Sequence, residues 1–326
     1  MNKYPSYSVS IRTLGTAGEK YQETLNSVAR QTVKPEKVLV YIPHGYPLPK
    51  ETIGIEEYVR CDKGMVTQRS QPFDEITSEF ILFLDDDLSF EADFVQKLFD
   101  GLLSMDGDCI SPDIYRCHEN SWLIKLRDYL GGTKFHFKND WSFIIRNDSH
   151  YSYNNNPLRP VLLSQSGAGA SYLCRKSAYE AIHFEDERWI ETYPYACGDD
   201  QLFFYKLYLY GFKVLTSFNT NIIHLDAGAG HIKDKSKFNY YFAYLDYIIW
   251  RRSVFEVKTT RIGKLWSACC YYIFYPLRGI PITFLRTIKH RNFDFFTQGF
   301  KAMRDARKYT KSEEYKSIPK YLHHKL

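Results

Sequence analysis

The sequence lacks the features that mark several common classes of protein. Its seven cysteines (Cys61, Cys109, Cys117, Cys174, Cys197, Cys269 and Cys270) are odd in number and form no Cys-x-x-Cys pair, so zinc and dithiol redox motifs are absent. No apolar stretch follows Met1-Asn2-Lys3-Tyr4-Pro5, so no signal peptide is read, and reduced cysteines in the cytoplasm are the expectation. The most apolar segment, Leu265 to Leu285, is interrupted by Pro276, Arg278, Gly279 and Pro281. That is poor material for a spanning helix, which needs about 20 predominantly apolar residues. The basic part of the chain carries no recognised nucleic-acid-binding motif, and nucleic acid is not expected as a partner.

What is present is an ordinary soluble composition with an unusual bias. The 326 residues allow one large α/β domain or two smaller ones; 44% are hydrophobic and 25% charged, but 17% are aromatic. Many aromatics beside polar residues suit sugar-stacking surfaces or a membrane-interface belt, and equally a plain core. The net charge of +5 hides a split: residues 231–326 hold 20 Lys and Arg against 7 Asp and Glu, and the remainder holds 23 against 31. Two regions with different partners are therefore expected, residues 1–230 and a basic, aromatic helical extension over 231–326. Broken basic helices of this kind fit a segment lying in a membrane interface, or a subdomain packed on the sheet with its charges solvated.

Strand and helix signals alternate through the first hundred residues. Strands are predicted at Tyr7 to Thr13, Lys37 to Ile42, Glu56 to Arg60 and Phe80 to Leu84, and amphipathic helices at Glu19 to Thr32 and Ala92 to Leu103. A further helix opens at Gly64 and runs toward Phe80. Repeated βα units predict a parallel, doubly wound sheet, with ligands bound beyond the carboxyl ends of its strands. Residues 104–164 read as an irregular, aromatic binding region. Gly167 to Cys174 reads as a small-residue turn entering a strand. Cys197-Gly198-Asp199-Asp200-Gln201 leads into a helix over Leu202 to Tyr210, and strands follow at Lys213 to Thr216 and Asn221 to Leu225. Tyr240 to Trp250 is helix-compatible.

The apolar run Phe80 to Leu84 ends in Asp85-Asp86-Asp87. Three adjacent carboxylates at the end of a buried strand raise one another's energy unless a cation neutralises them. Alternation along an extended chain puts Asp85 and Asp87 on one side and Asp86 on the other. Two same-facing carboxylates make a hard oxygen site for Mn²⁺ or Mg²⁺, which would also hold phosphate oxygens. A solvated acidic turn is the alternative for such a triplet taken alone.

In order, these segments resemble a family 2 glycosyltransferase with the GT-A fold, of the inverting, bacterial surface-polysaccharide type. The resemblance covers about residues 7–230. Leu25-Asn26-Ser27-Val28-Ala29-Arg30-Gln31 matches the family's L-x-S-x-x-x-Q helix. Asp62-Lys63-Gly64 with Gln68-Arg69 resembles its N-x-G-x-x-x-A-R-N segment, and Asp85-Asp86-Asp87 its D-x-D motif. Gly167-Ala168-Gly169 sits at its glycine loop, Gly198-Asp199-Asp200 resembles its G-E-D helix start, and His224 falls where many GT-A enzymes carry a metal- or phosphate-contacting histidine. Two positions depart from the pattern. Arg12-Thr13-Leu14-Gly15 stands where the family commonly reads P-T-Y-N, and Tyr41-Ile42-Pro43-His44-Gly45 where it reads D-D-G-S. The base-packing aromatic and an acidic nucleoside-binding residue are thus missing from their usual places.

The resemblance implies an α/β, Rossmann-like, mostly parallel sheet flanked by helices, and a hexosyltransferase-type activity in polysaccharide biosynthesis. Its donor would be a nucleoside-diphosphate sugar, with a UDP-sugar favoured, and its acceptor a glycan or a lipid-linked glycan. It implies Asp87 as direct ligand of Mn²⁺ or Mg²⁺, with Asp85 and His224 supporting. Asp200 would be the base and Asp199 its positioning neighbour; both also suit a helix N-terminus. Donor binding would involve Thr13, Asp62, Lys63, Arg69, Asp85, Asp86 and Gly167. Trp189, Tyr193 and Tyr195 would make a stacking wall for the acceptor, or serve the core. The expected location is cytoplasmic, peripheral at the inner face of the cell membrane. Two other functions fit less of the pattern. A sugar-nucleotide nucleotidyltransferase would have a Gly-rich loop after the first strand, of which Gly15-Thr16-Ala17-Gly18-Glu19-Lys20 is a faint echo. A GT-A protein that binds carbohydrate without catalysis would account for the altered nucleotide strands.

Overall fold

The computed structural model describes residues 3–114, 140–154, 156–193, 197–225, 235–274 and 293–321, with positions 122, 126, 129, 276, 284, 287 and 288 between them. Twelve strands are present among these: β1 (Tyr7–Arg12), β2 (Val38–Pro43), β3 (Glu56–Cys61), β4 (Phe80–Asp85), β5 (Leu88–Phe90), β6 (Cys109–Pro112), β7 (Phe143–Ile145), β8 (Tyr151–Tyr153), β9 (Val161–Leu163), β10 (Ser171–Arg175), β11 (Val214–Ser217) and β12 (Ile222–His224). Eight form one sheet in the order β3-β2-β1-β4-β10-β6-β11-β9. Strands β3, β2, β1 and β4 run parallel, β10 enters antiparallel between β4 and β6, and β11 returns parallel to β6. This is the α/β, mostly parallel, helix-flanked arrangement that the resemblance implies.

The parallel half forms because β2 and β4 are apolar on both faces and β1, lying between them, buries its two serines along with its apolar side chains. Every residue of β2 is buried, as are the first five of β1 and of β4. On one face Tyr7, Val9, Ile11, Leu82 and Leu84 pack under the Glu19–Ala29 and Phe94–Ser104 helices. On the other, Leu39, Tyr41, Ile81 and Phe83 meet the Asp199–Leu209 helix and, beyond it, residues of the C-terminal region.

Two segments differ from expectation. The helix opening at Gly64 spans only Met65–Arg69. Pro72 follows closely, and a proline disfavours the α conformation of the residue before it. The region read as irregular contains the central strand β6, the edge strand β9 and the β7–β8 hairpin. Those strands have only three or four residues each, too few for a periodic signal.

The C-terminal region shares a core with the sheet domain. Trp250, Tyr271, Ala302, Ala306 and Tyr315 belong to the same apolar cluster as Phe83, Tyr172 and Phe203. A buried ionic centre fastens the two together. The Glu187 carboxylate accepts hydrogen bonds from Lys206 Nζ (2.9 Å), Arg252 Nε and Nη2 (both 3.0 Å) and Trp189 Nε1 (2.7 Å). Burial works to raise the Glu187 carboxyl pKa, but Lys206 and Arg252 outweigh it and hold the group below its ordinary value. No helix among the described residues is long and apolar enough to cross a membrane.

Candidate active site

The acidic triplet sits at the carboxyl end of β4, where β1 also ends. Parallel register places Arg12 directly beside Asp85. The Arg12 guanidinium donates to Asp85 Oδ1 through Nε at 2.5 Å. This partner was not read from the sequence. Its signal was the departure at the end of the first strand, a cation where the resemblance leads one to expect a proline.

Beyond Asp85 the chain bends, then resumes as β5, which pairs with β12 so that His224 lies opposite Leu88. The amide of Leu225 donates to the carbonyl of Asp87 (2.7 Å), and His224 Nε2 stands 3.1 Å from Asp87 Oδ1. Ligand atoms of Asp85, Asp87 and His224 lie within 4.8 Å of one another. Two carboxylate oxygens and one imidazole nitrogen are a donor set that suits Mn²⁺ and tolerates Mg²⁺. The three residues expected to share a metal are therefore together, with Asp85 also engaged by Arg12.

Asp86 turns away from them. Its Oδ2 accepts from Thr13 Oγ1 at 2.5 Å, and the same hydroxyl accepts the amide of Gly15 at 2.9 Å. Burial pushes the Asp86 carboxyl up to about 6, its two acidic neighbours adding to the rise against the Thr13 hydrogen bond. Thr13 is held in turn by its amide on Tyr41 O and by Gln68 Nε2 on its carbonyl.

The second acidic pair begins the Asp199–Leu209 helix. Gly198 precedes it with φ 89°, a left-handed conformation that suits glycine. Arg69 Nη1 reaches both carboxylates, Asp199 Oδ2 at 2.8 Å and Asp200 Oδ1 at 2.6 Å, while Nη2 donates to the carbonyl of Gly169. Burial raises the Asp199 carboxyl pKa to about 6, and the charge of Asp200 adds to this more than Arg69 offsets it. Asp199 is buried, whereas the Asp200 side chain is 41% exposed. Of the pair, Asp200 is the one a second substrate could reach.

The structure gives several of the expected residues partners within the protein. Arg69, expected at the donor, has its guanidinium taken up by Asp199, Asp200 and Gly169, because two carboxylates at one helix start need a counter-charge. Gly167 is small for internal reasons: a methyl group there would meet Ser111 Oγ at 2.8 Å and the Phe204 ring at 3.0 Å. The glycine that lets backbone approach the site is Gly169, where a methyl group would fall on the Asp200 carboxylate. Trp189 is no stacking wall; it is buried with its N–H on Glu187. Tyr193 stacks on Tyr241 at 4.5 Å, and Tyr195 lies outside the described residues. Asp62 and Lys63 are exposed on the loop after β3, with Lys63 Nζ on the Tyr46 hydroxyl at 2.5 Å. One further residue was missed: Glu191, whose carboxylate accepts Thr67 N and Thr67 Oγ1 and so anchors the short helix that carries Arg69.

The fold and site together define an α/β protein with a carboxylate–imidazole cluster at the ends of its parallel strands and a second carboxylate pair at a facing helix start. Residues 56–175 match the family model described as glycosyl transferase family 2, a span that includes Arg69, the acidic triplet and Gly169. No curated protein gives a match. Among solved structures the chain is similar to one described as GalNAc-T7 with UDP, GalNAc and Mn²⁺, at 12% identity and a TM-score of 0.49. The similarity covers 84% of this chain and 57% of that one, so this chain spans less than two thirds of its length.

Proposed function

We propose that this protein is a metal-dependent inverting glycosyltransferase. It would move a sugar from a nucleoside-diphosphate sugar, with UDP-sugars favoured, to a glycan or lipid-linked acceptor in surface-polysaccharide synthesis. The observation that carries the reading is the convergence of Asp85, Asp87 and His224 within 4.8 Å at the end of β4, with the two aspartates inside the span that matches the family model.

In this reading Asp87 and His224 would hold a divalent cation, with Asp85 completing the set. Bound there, Mn²⁺ or Mg²⁺ would neutralise charge on the departing nucleoside diphosphate. Asp86 and Thr13 fix the turn beside the donor. Asp200 accepts the proton of the attacking hydroxyl as the new C–O bond forms and the bond to the diphosphate breaks. Arg69 occupies Oδ1 of Asp200, which leaves Oδ2 for the acceptor. Arg69 and the helix start hold that carboxylate in one orientation, and a general base must stand within hydrogen-bond reach of the proton it takes.

Thermal shift with a panel of nucleotide sugars, with and without Mn²⁺, tests the donor half. Stabilisation by one nucleotide family only when metal is present supports the reading, and stabilisation by sugar without nucleotide or metal overturns it. For the acceptor half, Asp200→Asn should abolish transfer while sparing metal-dependent nucleotide binding. Full transfer by that variant removes Asp200 from the role of base.

A further inference from the structure

The helix Arg261–Cys269 and its continuation Cys270–Phe274 leave several large apolar side chains outside the core. Their inner side carries Ser267, Cys270 and Tyr271, all buried. Ser267 Oγ accepts from Trp250 Nε1 (3.0 Å) and donates to the carbonyl of Asn147 (2.8 Å), so a polar residue anchors the buried face. The outer side is apolar as well. Ile262 is 81% exposed, Leu265 67%, Trp266 47% and Ile273 50%. Their spacing of three, four and eleven residues from Ile262 puts them on one stripe of the helix. Exposed apolar surface of this extent on one helix marks an interaction site.

The surroundings of the stripe are basic. Arg261 is exposed at its start, and the Arg307 guanidinium lies 4.8 Å from the centre of the Tyr272 ring, which joins the Asp294–Tyr309 helix to the same surface. On that second helix a groove is lined by Phe300, Met303, Arg304, Arg307, Lys308 and Lys311, with no acidic residue among them. Apolar and aromatic side chains flanked by Lys and Arg match the two parts of an anionic bilayer surface, acyl chains below and phosphate headgroups above. The loop that receives Ser267 also receives Gln201 Nε2 on its Ser149 carbonyl, so this surface and the start of the Asp199–Leu209 helix are fastened to one loop.

We propose that the Ile262–Leu265–Trp266–Ile273 stripe and the basic side chains around it form a docking face for an anionic phospholipid bilayer, on which the protein lies without crossing. The proposal does not depend on the glycosyltransferase reading.

Co-sedimentation with vesicles of equal parts phosphatidylcholine and phosphatidylglycerol, against phosphatidylcholine alone, tests it. The wild-type protein should pellet with the anionic vesicles, and its partitioning should fall steeply as salt shortens the Debye length from about 10 Å at 0.1 M. Leu265→Glu should weaken partitioning about tenfold or more, and Ile262→Glu, at an even more exposed position, serves as a second variant if the first fails to fold. Arg307→Glu combined with Lys311→Glu should remove the preference for anionic lipid. A blue shift of emission on vesicle addition, lost in Trp266→Phe, would place the stripe itself at the bilayer. Three results overturn the proposal: no binding to anionic vesicles, binding unchanged by the folded Leu265→Glu or Ile262→Glu protein, or a wild-type dimer in light scattering that either variant dissociates, which makes the stripe a contact between two copies of the chain.

Discussion

Replacing Arg69 with methionine offers a quantitative test of how the second acidic pair is held. The arginine is buried and bridges two carboxylates through a single nitrogen, at 2.8 and 2.6 Å. Methionine fills a similar space without charge or donor. Removing one partner of a buried ion pair costs about 3–5 kcal/mol, because the remaining charge stays desolvated. Asp200 is 41% exposed, so its share is largely screened and most of the cost belongs to Asp199. A loss of about 3 kcal/mol at pH 8 is therefore expected, a large part of the 5–15 kcal/mol typical of a folded protein.

The pH dependence supplies the sign. Burial and the charge of Asp200 already raise the Asp199 carboxyl to about 6 in the presence of Arg69, and removing the arginine raises it further. A carboxyl with a raised folded pKa favours the fold below its unfolded value, and that contribution is lost as pH rises through the folded pKa. In the variant this loss lies closer to neutrality, so the penalty of Arg69→Met should shrink between pH 8 and pH 5. Urea denaturation at both pH values, chosen because urea does not screen charge, measures it. A penalty below about 1 kcal/mol at pH 8, or one that grows toward pH 5, would refute this account of the pair.

Glu187→Gln should cost about 3–5 kcal/mol in urea denaturation, because it leaves Arg252 buried without the Glu187 charge and Lys206 with only the more distant carboxylate of Asp186, at 3.7 Å; an effect under about 1 kcal/mol would mean the centre is dispensable. Gly169→Ala should leave the melting temperature within a few degrees of wild type but abolish transfer, since the added methyl displaces the Asp200 carboxylate; retained activity would show that this carboxylate can move without consequence. His224→Ala should lower Mn²⁺ affinity about tenfold or more in calorimetry, with little loss of stability at a position that is well exposed, and equal affinity would remove His224 from the ligand set.

The parts of this protein legible in its sequence are those that repeat locally. Strands β1, β2 and β4 each present a run of five or six residues with a clear apolar or alternating pattern, and the helices Glu19–Ala29 and Phe94–Ser104 show their period. Strand β6 was hidden because four residues ending in proline carry no period, although it lies near the middle of the sheet. In the site, the shared side of Asp85 and Asp87 follows from alternation. The meeting with His224 does not, since it depends on β5 pairing with a strand more than a hundred residues away. Arg12 beside Asp85 is likewise a product of register between β1 and β4.

These long-range pairings also assign different work to chemically equivalent residues. Five carboxylates converge on the region, and taken one at a time in the sequence they are interchangeable. The fold removes that equivalence by giving each a different partner. Asp85 is engaged by Arg12, Asp86 by the Thr13 hydroxyl, and buried Asp199 by Arg69. Asp87 keeps the imidazole of His224 beside it, and Asp200 keeps an exposed edge. Arg12 and Arg69 offset two of the five negative charges, and the remaining excess makes a divalent cation favourable at the Asp87 end. In the proposed reaction the leaving group and the base thus fall at opposite ends of one acidic site, and the two arginines keep those ends distinct.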